Sequence, residues 1–228
     1  MIVRVDSPNP ALIEILRSPN QILTLDANVL IPSRRSAVGW GFSFSDYKEI
    51  WLDPLFSSFS NLAVHEAVLE ELVDSSIRSY VQSMLDSSPP RLIIHSDSNL
   101  TAIERALRDS VLHKIAPLTK YDPSLDNKDD RGEVKTLAYL AVKELKYFAA
   151  RDSNAILLIE KAQEWDTGLD NIQVIQMHEL IYYLLEKGAA RPKPLRALYK
   201  YLYHLTQKDK QSNPEWNRFV SVMKGLYA

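Results

Sequence analysis

The sequence predicts an α/β fold, a three-layer α/β/α sandwich around a central, mostly parallel sheet of four to five strands. Short apolar runs at residues 21–25, 91–95, 147–150 and 172–175 have the length and composition of buried strands. Longer segments of helical periodicity separate these runs, and strands that alternate with helices are typical of a parallel sheet with both faces covered. A helical extension follows at the C-terminal end.

The segments between the strands predict helices, and prolines or glycines mark several of their ends. We expect helices over residues 10–18, 64–86, 98–116, 132–146, 153–164 and 177–187, and two more in the tail, split around residues 212–214. The expected organisation is an α/β domain over residues 1–188 and a C-terminal helical extension over residues 189–228. An aromatic-rich insertion at residues 36–60 interrupts the first of these.

Composition limits the classes of protein that fit. The chain has 228 residues, 46% of them hydrophobic, and a formal net charge of −2, which suits one sizeable core. Because cysteine is absent, disulfides and thiolate metal sites are excluded. No apolar run approaches the roughly 20 residues that span a bilayer, so we expect no membrane association and a cytoplasmic location.

Two acids lie just past the ends of predicted strands. Asp26 ends the run at residues 22–25, with Asn28 two residues on, and Asp152 comes just after residues 147–150. In open parallel sheets, functional groups gather beyond the carboxyl ends of the strands. The alternative for each acid is a helix N-cap.

Two glutamates complete the candidate set. Glu71 lies roughly 85° from the centre of the apolar face of its predicted helix, so its carboxylate is half turned towards the core. Glu133 lies at the predicted start of a helix, where the backbone dipole favours a negative charge. The alternatives are a surface ion pair for Glu71 and an Asp130–Glu133 capping box.

Converging carboxylates predict a metal site. Two carboxylates about 4 Å apart repel by about 4 kcal/mol at an effective dielectric constant near 20, and a hard divalent cation offsets this repulsion. We therefore expect Mg²⁺ or Mn²⁺ at a catalytic site, with Asn28, Asp130 and Ser153 orienting the ligands. The expected metal ligands are Asp26, Glu71, Glu133 and Asp152. No two histidines have zinc-ligand spacing on one helix, so each histidine is interpreted as structural or superficial.

The chain resembles the PIN-domain family over roughly residues 21–187. The resemblance depends on the motifs at residues 25–30, 68–72, 132–138 and 148–153, in that order. It implies a PIN-like nuclease in which Asp26, Glu71, Glu133 and Asp152 are the four acids that hold Mg²⁺ or Mn²⁺ and cut single-stranded or structured RNA. It also suggests an antitoxin-like protein partner. The long insertion, the tail and the Gly-Glu form of the third motif depart from the minimal family pattern.

Basic and aromatic side chains are the candidates for contact with RNA. Arg34, Arg35, Arg131 and Arg151 flank the acidic motifs, with ion pairs to nearby acids as the alternative. The aromatics of residues 36–60 either stack on bases, pack on the core or cover an interface in a homodimer, and packing is the favoured interpretation. The tail is the most basic part of the chain and predicts a docked helical hairpin or an RNA-contacting surface.

The expected function is therefore a metal-dependent endoribonuclease. The alternative is a catalytically silent PIN-like module for protein interaction or RNA binding, in which the acids are caps and surface charges. A nucleotide-binding α/β domain is disfavoured, because the chain has six glycines and no glycine-rich phosphate loop.

Overall fold

The structure is a computed structural model that describes residues 2–33, 41–151 and 153–228. It is an α/β fold with a five-stranded sheet in the order β3-β2-β1-β4-β5, flanked by helices as in a three-layer α/β/α sandwich. The strands are β1 (Leu23–Leu25), β2 (Leu62–His65), β3 (Leu92–His95), β4 (Tyr147–Ala150) and β5 (Gln173–Gln176). The predicted fold class is confirmed.

The central strand β1 fixes the register of the sheet. It pairs in parallel with β2 on one side and with β4 on the other, so that Leu23 lies opposite both Leu62 and Tyr147. Strand β2 in turn pairs in parallel with β3. All residues of β1, β2 and β4 are buried, as expected for the interior strands of a parallel sheet.

The first half of the chain contributes seven helices among the described residues. They are α1 (Pro10–Arg17), α2 (Ala27–Leu30), α3 (Phe44–Tyr47), α4 (Asp53–Ser58), α5 (Glu66–Glu71), α6 (Ser75–Leu85) and α7 (Ala102–Ile115), with a π-helical turn at Lys48–Leu52 between α3 and α4. A capping box at Thr101 and Glu104 starts α7.

The second half contributes seven more in the described part of the chain. They are α8 (Arg131–Val142), α9 (Ser153–Glu160), α10 (Ala162–Trp165), α11 (Met177–Glu186), α12 (Pro192–Tyr203), α13 (Gln207–Ser212) and α14 (Trp216–Tyr227). The tail therefore holds three helices where two were expected. The extra break falls where Thr206 and Asp209 form a capping box that starts α13.

The predicted helix over residues 64–86 is wrong. Its first residues belong to β2, and two helices follow, because the segment contains two N-cap signals. His65 accepts a hydrogen bond from the backbone N–H of Ala67 and starts α5, and Asp74 accepts bonds from the N–H groups of the second and third residues of α6. A local capping bond thus divides what reads as one amphipathic stretch.

The chain forms two compact units. The first comprises residues 1–21, 32–60 and 175–228, and the second comprises residues 22–31 and 61–174. The second unit has a core of buried residues from α7, α8, β4 and α9, with Phe148 and Leu137 fully buried. The division into residues 1–188 and 189–228 stays a prediction.

The first unit is rich in buried aromatics. In the described part of the insertion, Tyr47, Trp51 and Phe56 are buried, which confirms that these aromatics pack in the interior. In the tail, the rings of Tyr199 and Phe219 stack with their centroids 4.5 Å apart. Residues 36–40 of the insertion lie outside the described residues.

Among the helices in the described ranges, none combines the length with the hydropathy necessary for crossing a bilayer.

Candidate metal sites at the carboxyl ends of the strands

The strand order places a switch point beside β1. The chain passes outwards from β1 to β2 and β3, and later returns to β4 on the other side of β1. Crevices at such points lie beyond the carboxyl ends of the two strands that flank them. Asp26 follows β1 directly and Arg151 follows β4 directly, so both lie at this position.

Asp26 is held by one hydrogen bond of its backbone and one of its side chain. Its N–H donates to the carbonyl oxygen of Ala149 at 3.0 Å, which extends the β1–β4 pairing by one residue. Its Oδ1 accepts a bond of 2.8 Å from the N–H of Ala27, so Asp26 also caps α2. The residue is only 4% exposed. The capping role and a position at the switch point are therefore compatible.

Asn28 ties the two strand ends together. Its Oδ1 accepts a hydrogen bond of 3.1 Å from the N–H of Arg151, across 123 residues of sequence. This bond fixes the first turn after β1 relative to the chain that leaves β4. Asn28 thus positions the segments on which the first and fourth predicted acids lie.

Glu71 is the last residue of α5 and lies against the start of α8. Its Oε1 accepts a bond of 2.7 Å from the N–H of Gly132. Burial raises the pKa of Glu71, and the Gly132 hydrogen bond and the positive charge of Arg131 oppose that rise, while the charge of Asp130 adds to it. The carboxylate is therefore held in surroundings that favour its protonation when no cation is near.

Gly132 makes this approach feasible. A Cβ atom at this position would lie 2.3 Å from Oε1 and 2.8 Å from Cδ of Glu71. Cβ atoms essentially never approach other atoms closer than 3.0 Å. The Gly-Glu form of the third motif thus has a steric reason. The glycine leaves the space that the Glu71 carboxylate occupies.

Glu133 follows in the first turn of α8 and is 7% exposed. The capping-box alternative for this acid is wrong. Asp130 adopts a left-handed backbone conformation with φ of 54° and makes no side-chain cap, and its Oδ2 accepts a bond of 3.0 Å from the N–H of Lys120. Helix α8 packs against α5 and β2, and α5 contacts α2. Asp26, Glu71 and Glu133 are thus carried by neighbouring elements.

The predicted substrate-binding residues have different outcomes. Arg131 bonds the carboxylate of Glu70 and lies 3.3 Å from that of Asp126, so the ion-pair alternative describes its surroundings. Arg34, Arg35 and Asp152 lie outside the described residues. Ser153 begins α9. The roles of Asp26, Asn28, Glu71, Asp130, Glu133, Asp152, Ser153, Arg131 and Arg151 in binding metal or RNA stay predictions.

A second group lies beyond the ends of β2 and β3. One donor atom each from His65, Glu66 and Asp97 lies within 4.8 Å of the other two, so this group could hold a metal ion. Ligands about 2.0–2.2 Å from a shared ion are separated by up to roughly twice that length, so little contraction is needed. It is the one group of three histidine and acidic donors at this separation within residues 2–33, 41–151 and 153–228.

Most of the atoms that could bind a metal in this group already take part in hydrogen bonds. The Nδ1 of His65 accepts from the N–H of Ala67 at 3.2 Å, which leaves the proton on Nε2, 3.4 Å from Oδ1 of Asp97. Glu66 accepts from the N–H of Asp97 at 3.0 Å and from the hydroxyl of Ser96 at 2.5 Å. A metal ion on Nε2 would displace its proton, as metal binding to imidazole generally does.

The neighbours of Asp97 determine the ionisation state of its carboxyl group. Burial raises the pKa of Asp97, but the hydrogen bond from His65 and the charge of Arg108 outweigh it, so the pKa lies below its usual value. The Nη2 atom of Arg108 lies 3.4 Å from Oδ2 of Asp97. This carboxylate is therefore ionised, and a positive neighbour already compensates it.

His95 supports this group from within the sheet. Its Nε2 lies 3.0 Å from the hydroxyl of Thr24, and its ring stacks on that of Tyr139 at a centroid distance of 5.0 Å. Burial, with the nearby His65, lowers the pKa of His95 to about 4. His95 is therefore a neutral structural residue at physiological pH, as the sequence predicted.

Sequence reasoning missed the histidine-containing group because it missed strand β2. Once Leu62–His65 is a strand, the His-Glu pair lies at its carboxyl end and Asp97 lies just past the end of β3. The usable signal was the repeat of a buried histidine at the last position of two apolar strands, His65 and His95.

Comparisons with known proteins add no family. No protein-family model, no curated protein and no solved structure matches this chain.

Proposed function

We propose that this protein is a PIN-type endoribonuclease that uses Mg²⁺ or Mn²⁺ at the carboxyl ends of its parallel strands. The proposed ligands are Asp26, Glu71, Glu133 and Asp152. The substrate class is RNA, single-stranded or structured, and the reaction is hydrolysis of a phosphodiester bond.

One observation carries the proposal. Asp26, Glu71 and Glu133 are distant in sequence and lie on elements that contact one another, with Asp26 and Glu133 buried and the pKa of Glu71 raised. Ionised carboxylates are costly to bury unless something compensates their charge. A divalent cation among Asp26, Glu71 and Glu133 would add to the compensation that their hydrogen bonds already supply.

The donor set fits the proposed metal. Carboxylate oxygens without thiolate or imidazole ligands are what hard cations such as Mg²⁺ and Mn²⁺ prefer. Such a cation, when bound, acidifies an attacking water and stabilises charge on the phosphate oxygens. This requires the carboxylates to be ionised, so the raised pKa of Glu71 makes metal binding proton-linked.

The chain's own residues have two tasks in this reaction. Asp26, just after β1, and Glu133, in the first turn of α8, would hold the cation through their carboxylates. Asn28 keeps the β1 and β4 ends in register through its bond to the N–H of Arg151. Glu71 is held at the start of α8 by the bond that its Oε1 accepts from the N–H of Gly132.

A second candidate is the silent interaction module. The observation that favours it is that Asp26 and Glu71 both accept backbone N–H bonds, so each has a structural role without a metal. Titration with Mn²⁺ separates the two candidates. A protein that binds no Mn²⁺ at millimolar concentration is the silent module.

The direct test is RNA cleavage by Asp26→Asn. The amide keeps the oxygen that caps α2 but loses the charge, so the fold should persist and cleavage should fall by at least about 10²-fold. Asp166→Asn is the matched control, because Asp166 is exposed, pairs with Lys114 and has a left-handed backbone that asparagine tolerates. Full activity in Asp26→Asn, with the control unchanged, would rule out the site.

A further inference from the structure

The tail carries the strongest local charge of the chain. Residues 193–228 have a net charge of +5, while the whole chain has −2, so the remaining residues sum to −7. The seven cations of the tail lie on α12, α13 and α14: Lys193, Arg196, Lys200, Lys208, Lys210, Arg218 and Lys224. Such a segregation of charge is the electrostatic signature of a surface that meets a polyanion.

Three of these cations form a stripe along α12. At 100° per residue, Lys193, Arg196 and Lys200 fall within an arc of about 60°, and they span about 10 Å of helix axis. All three are exposed. No ion pair within residues 2–33, 41–151 and 153–228 involves any of the three, although these ranges include the acids Glu49, Asp209 and Glu215 of the same unit.

The opposite face of α12 fixes the stripe in place. Leu195, Leu198, Tyr199 and Leu202 are buried, and the hydroxyl of Tyr201 donates to the carbonyl oxygen of Ser33 at 2.6 Å. Helix α12 packs against α11 and α14 within the first unit. The stripe is thus a preformed surface, and binding to it orders little of the backbone.

Four aromatics of the tail are buried and are therefore not available for stacking on bases. Tyr199, Tyr203, Trp216 and Phe219 contact one another in the interior, and each is at most 8% exposed. Contacts from the stripe are therefore to charge alone. Contacts of that kind position a strand without reading its sequence.

We propose that the exposed face of α12, with Lys193, Arg196 and Lys200, binds the phosphate backbone of single-stranded RNA without sequence preference. Each of the three cations of the stripe can contact one phosphate of a single strand. The identity of the polyanion as RNA rests on the proposed function, while the binding itself rests on the charge and exposure of the stripe.

The test is the salt dependence of RNA binding. A fluorescein-labelled oligouridine RNA is titrated with the full chain in EDTA, so that no cleavage occurs, and anisotropy gives the dissociation constant between 50 and 200 mM KCl. The stripe variant combines Lys193→Gln, Arg196→Gln and Lys200→Gln. The control combines Lys114→Gln, Lys143→Gln and Lys161→Gln, which remove the same charge from lysines already paired with acids.

Loss of three phosphate contacts should change the slope of log K against log salt by about 2, at ~0.7 per contact for a single strand. Over the fourfold salt range, the parent and the control should therefore lose about 20-fold more affinity than the stripe variant. Equal slopes in the parent and the stripe variant would overturn the proposal. So would a parent that binds vesicles of anionic phospholipid but no RNA.

The same proteins separate this proposal from the nuclease assignment. If neither the parent nor any variant cleaves RNA but the slope difference persists, the nuclease fails and the RNA-binding surface stands. If cleavage depends on Asp26 but the stripe variant keeps the parent slope, the surface fails and the nuclease stands. Asp26→Asn should bind the RNA in EDTA with the parent slope.

Discussion

The substitution Gly132→Ala tests the contact that joins the second and third acidic motifs. The new methyl carbon would lie 2.3 Å from Oε1 of Glu71, and such atoms essentially never approach closer than 3.0 Å. The carboxylate must therefore withdraw by at least about 0.7 Å, and it loses its bond to the N–H of Gly132. Metal ligands tolerate displacements of about 0.2 Å, so this shift removes Glu71 from any shared coordination.

Two opposing contributions set the effect of Gly132→Ala on the free energy of unfolding. Loss of a hydrogen bond to a charged group costs about 1.5–3 kcal/mol of unfolding free energy, and replacing a helical glycine by alanine returns about 0.5–1 kcal/mol. Gly132→Ala should therefore lower the unfolding free energy by about 1–2 kcal/mol. It should weaken Mn²⁺ binding by about tenfold or more, and slow cleavage by up to about 10²-fold.

The assays are urea unfolding, calorimetric titration with Mn²⁺ and cleavage of labelled RNA. Gly225→Ala is the matched control, because a Cβ at that position in α14 meets no atom within 4 Å. It should leave Mn²⁺ affinity unchanged and raise the unfolding free energy slightly. A Gly132→Ala protein that binds Mn²⁺ and cuts RNA as the parent does would refute the role given to Glu71.

Three further substitutions test the local physics of the two groups. Because burial raises the pKa of Glu71, the ionised carboxylate destabilises the fold above that pKa. Glu71→Gln should therefore raise the urea midpoint of the metal-free protein at pH 7 but not at pH 3. A lower midpoint at pH 7 would contradict this. Asn28→Ala should lower the free energy of unfolding in urea by about 1 kcal/mol, because the N–H of Arg151 loses its acceptor. Asn28→Asp keeps an acceptor oxygen and should lower it less. Equal losses in the two variants would exclude the bond as the cause. Because the pKa of Asp97 is lowered, its ionised form stabilises the fold at neutral pH, and this contribution disappears as the pH falls through that pKa. Asp97→Asn should therefore flatten the decline of the melting temperature towards pH 3. A decline parallel to that of the parent would show that Asp97 adds nothing to stability.

Local pattern was sufficient for most of the sheet. Strand β4 lies at the predicted residues, and β1, β3 and β5 differ from the predicted runs by one or two residues at their ends. Their apolar runs are bounded by turn residues, so the strand signal was clear. Strand β2 was missed because its four residues run directly into α5 without a turn between them.

The position of the first acid was also predictable. Asp26 ends an apolar strand, and in a parallel sheet the residue after the strand lies at the carboxyl edge whatever the neighbouring strands are. Asn28 was expected to support this position, and its bond to Arg151 is a contact across β1 and β4 that the pattern alone could not specify. Strand order is a long-range property, and no local signal in the sequence encodes it.

The contact between Glu71 and Gly132 shows what sequence could not provide. Helical periodicity gave the half-inward direction of Glu71, but its partner lies 61 residues away. The capping-box pattern at Asp130 and Glu133 failed because a left-handed residue at Asp130 turns the carboxylate towards Lys120. Backbone conformations of this kind depend on the preceding loop, and residue type alone specifies them weakly.

The most direct measurement of the central claim is Mn²⁺ binding to four proteins by calorimetric titration: the parent, Asp26→Asn, Glu133→Gln and Glu66→Gln. The account predicts that the parent binds Mn²⁺, that Asp26→Asn and Glu133→Gln each weaken binding by about tenfold or more, and that Glu66→Gln binds as the parent does. Binding that is lost in Glu66→Gln but kept in Asp26→Asn would place the cation at His65, Glu66 and Asp97 instead. That result would contradict the four-carboxylate site.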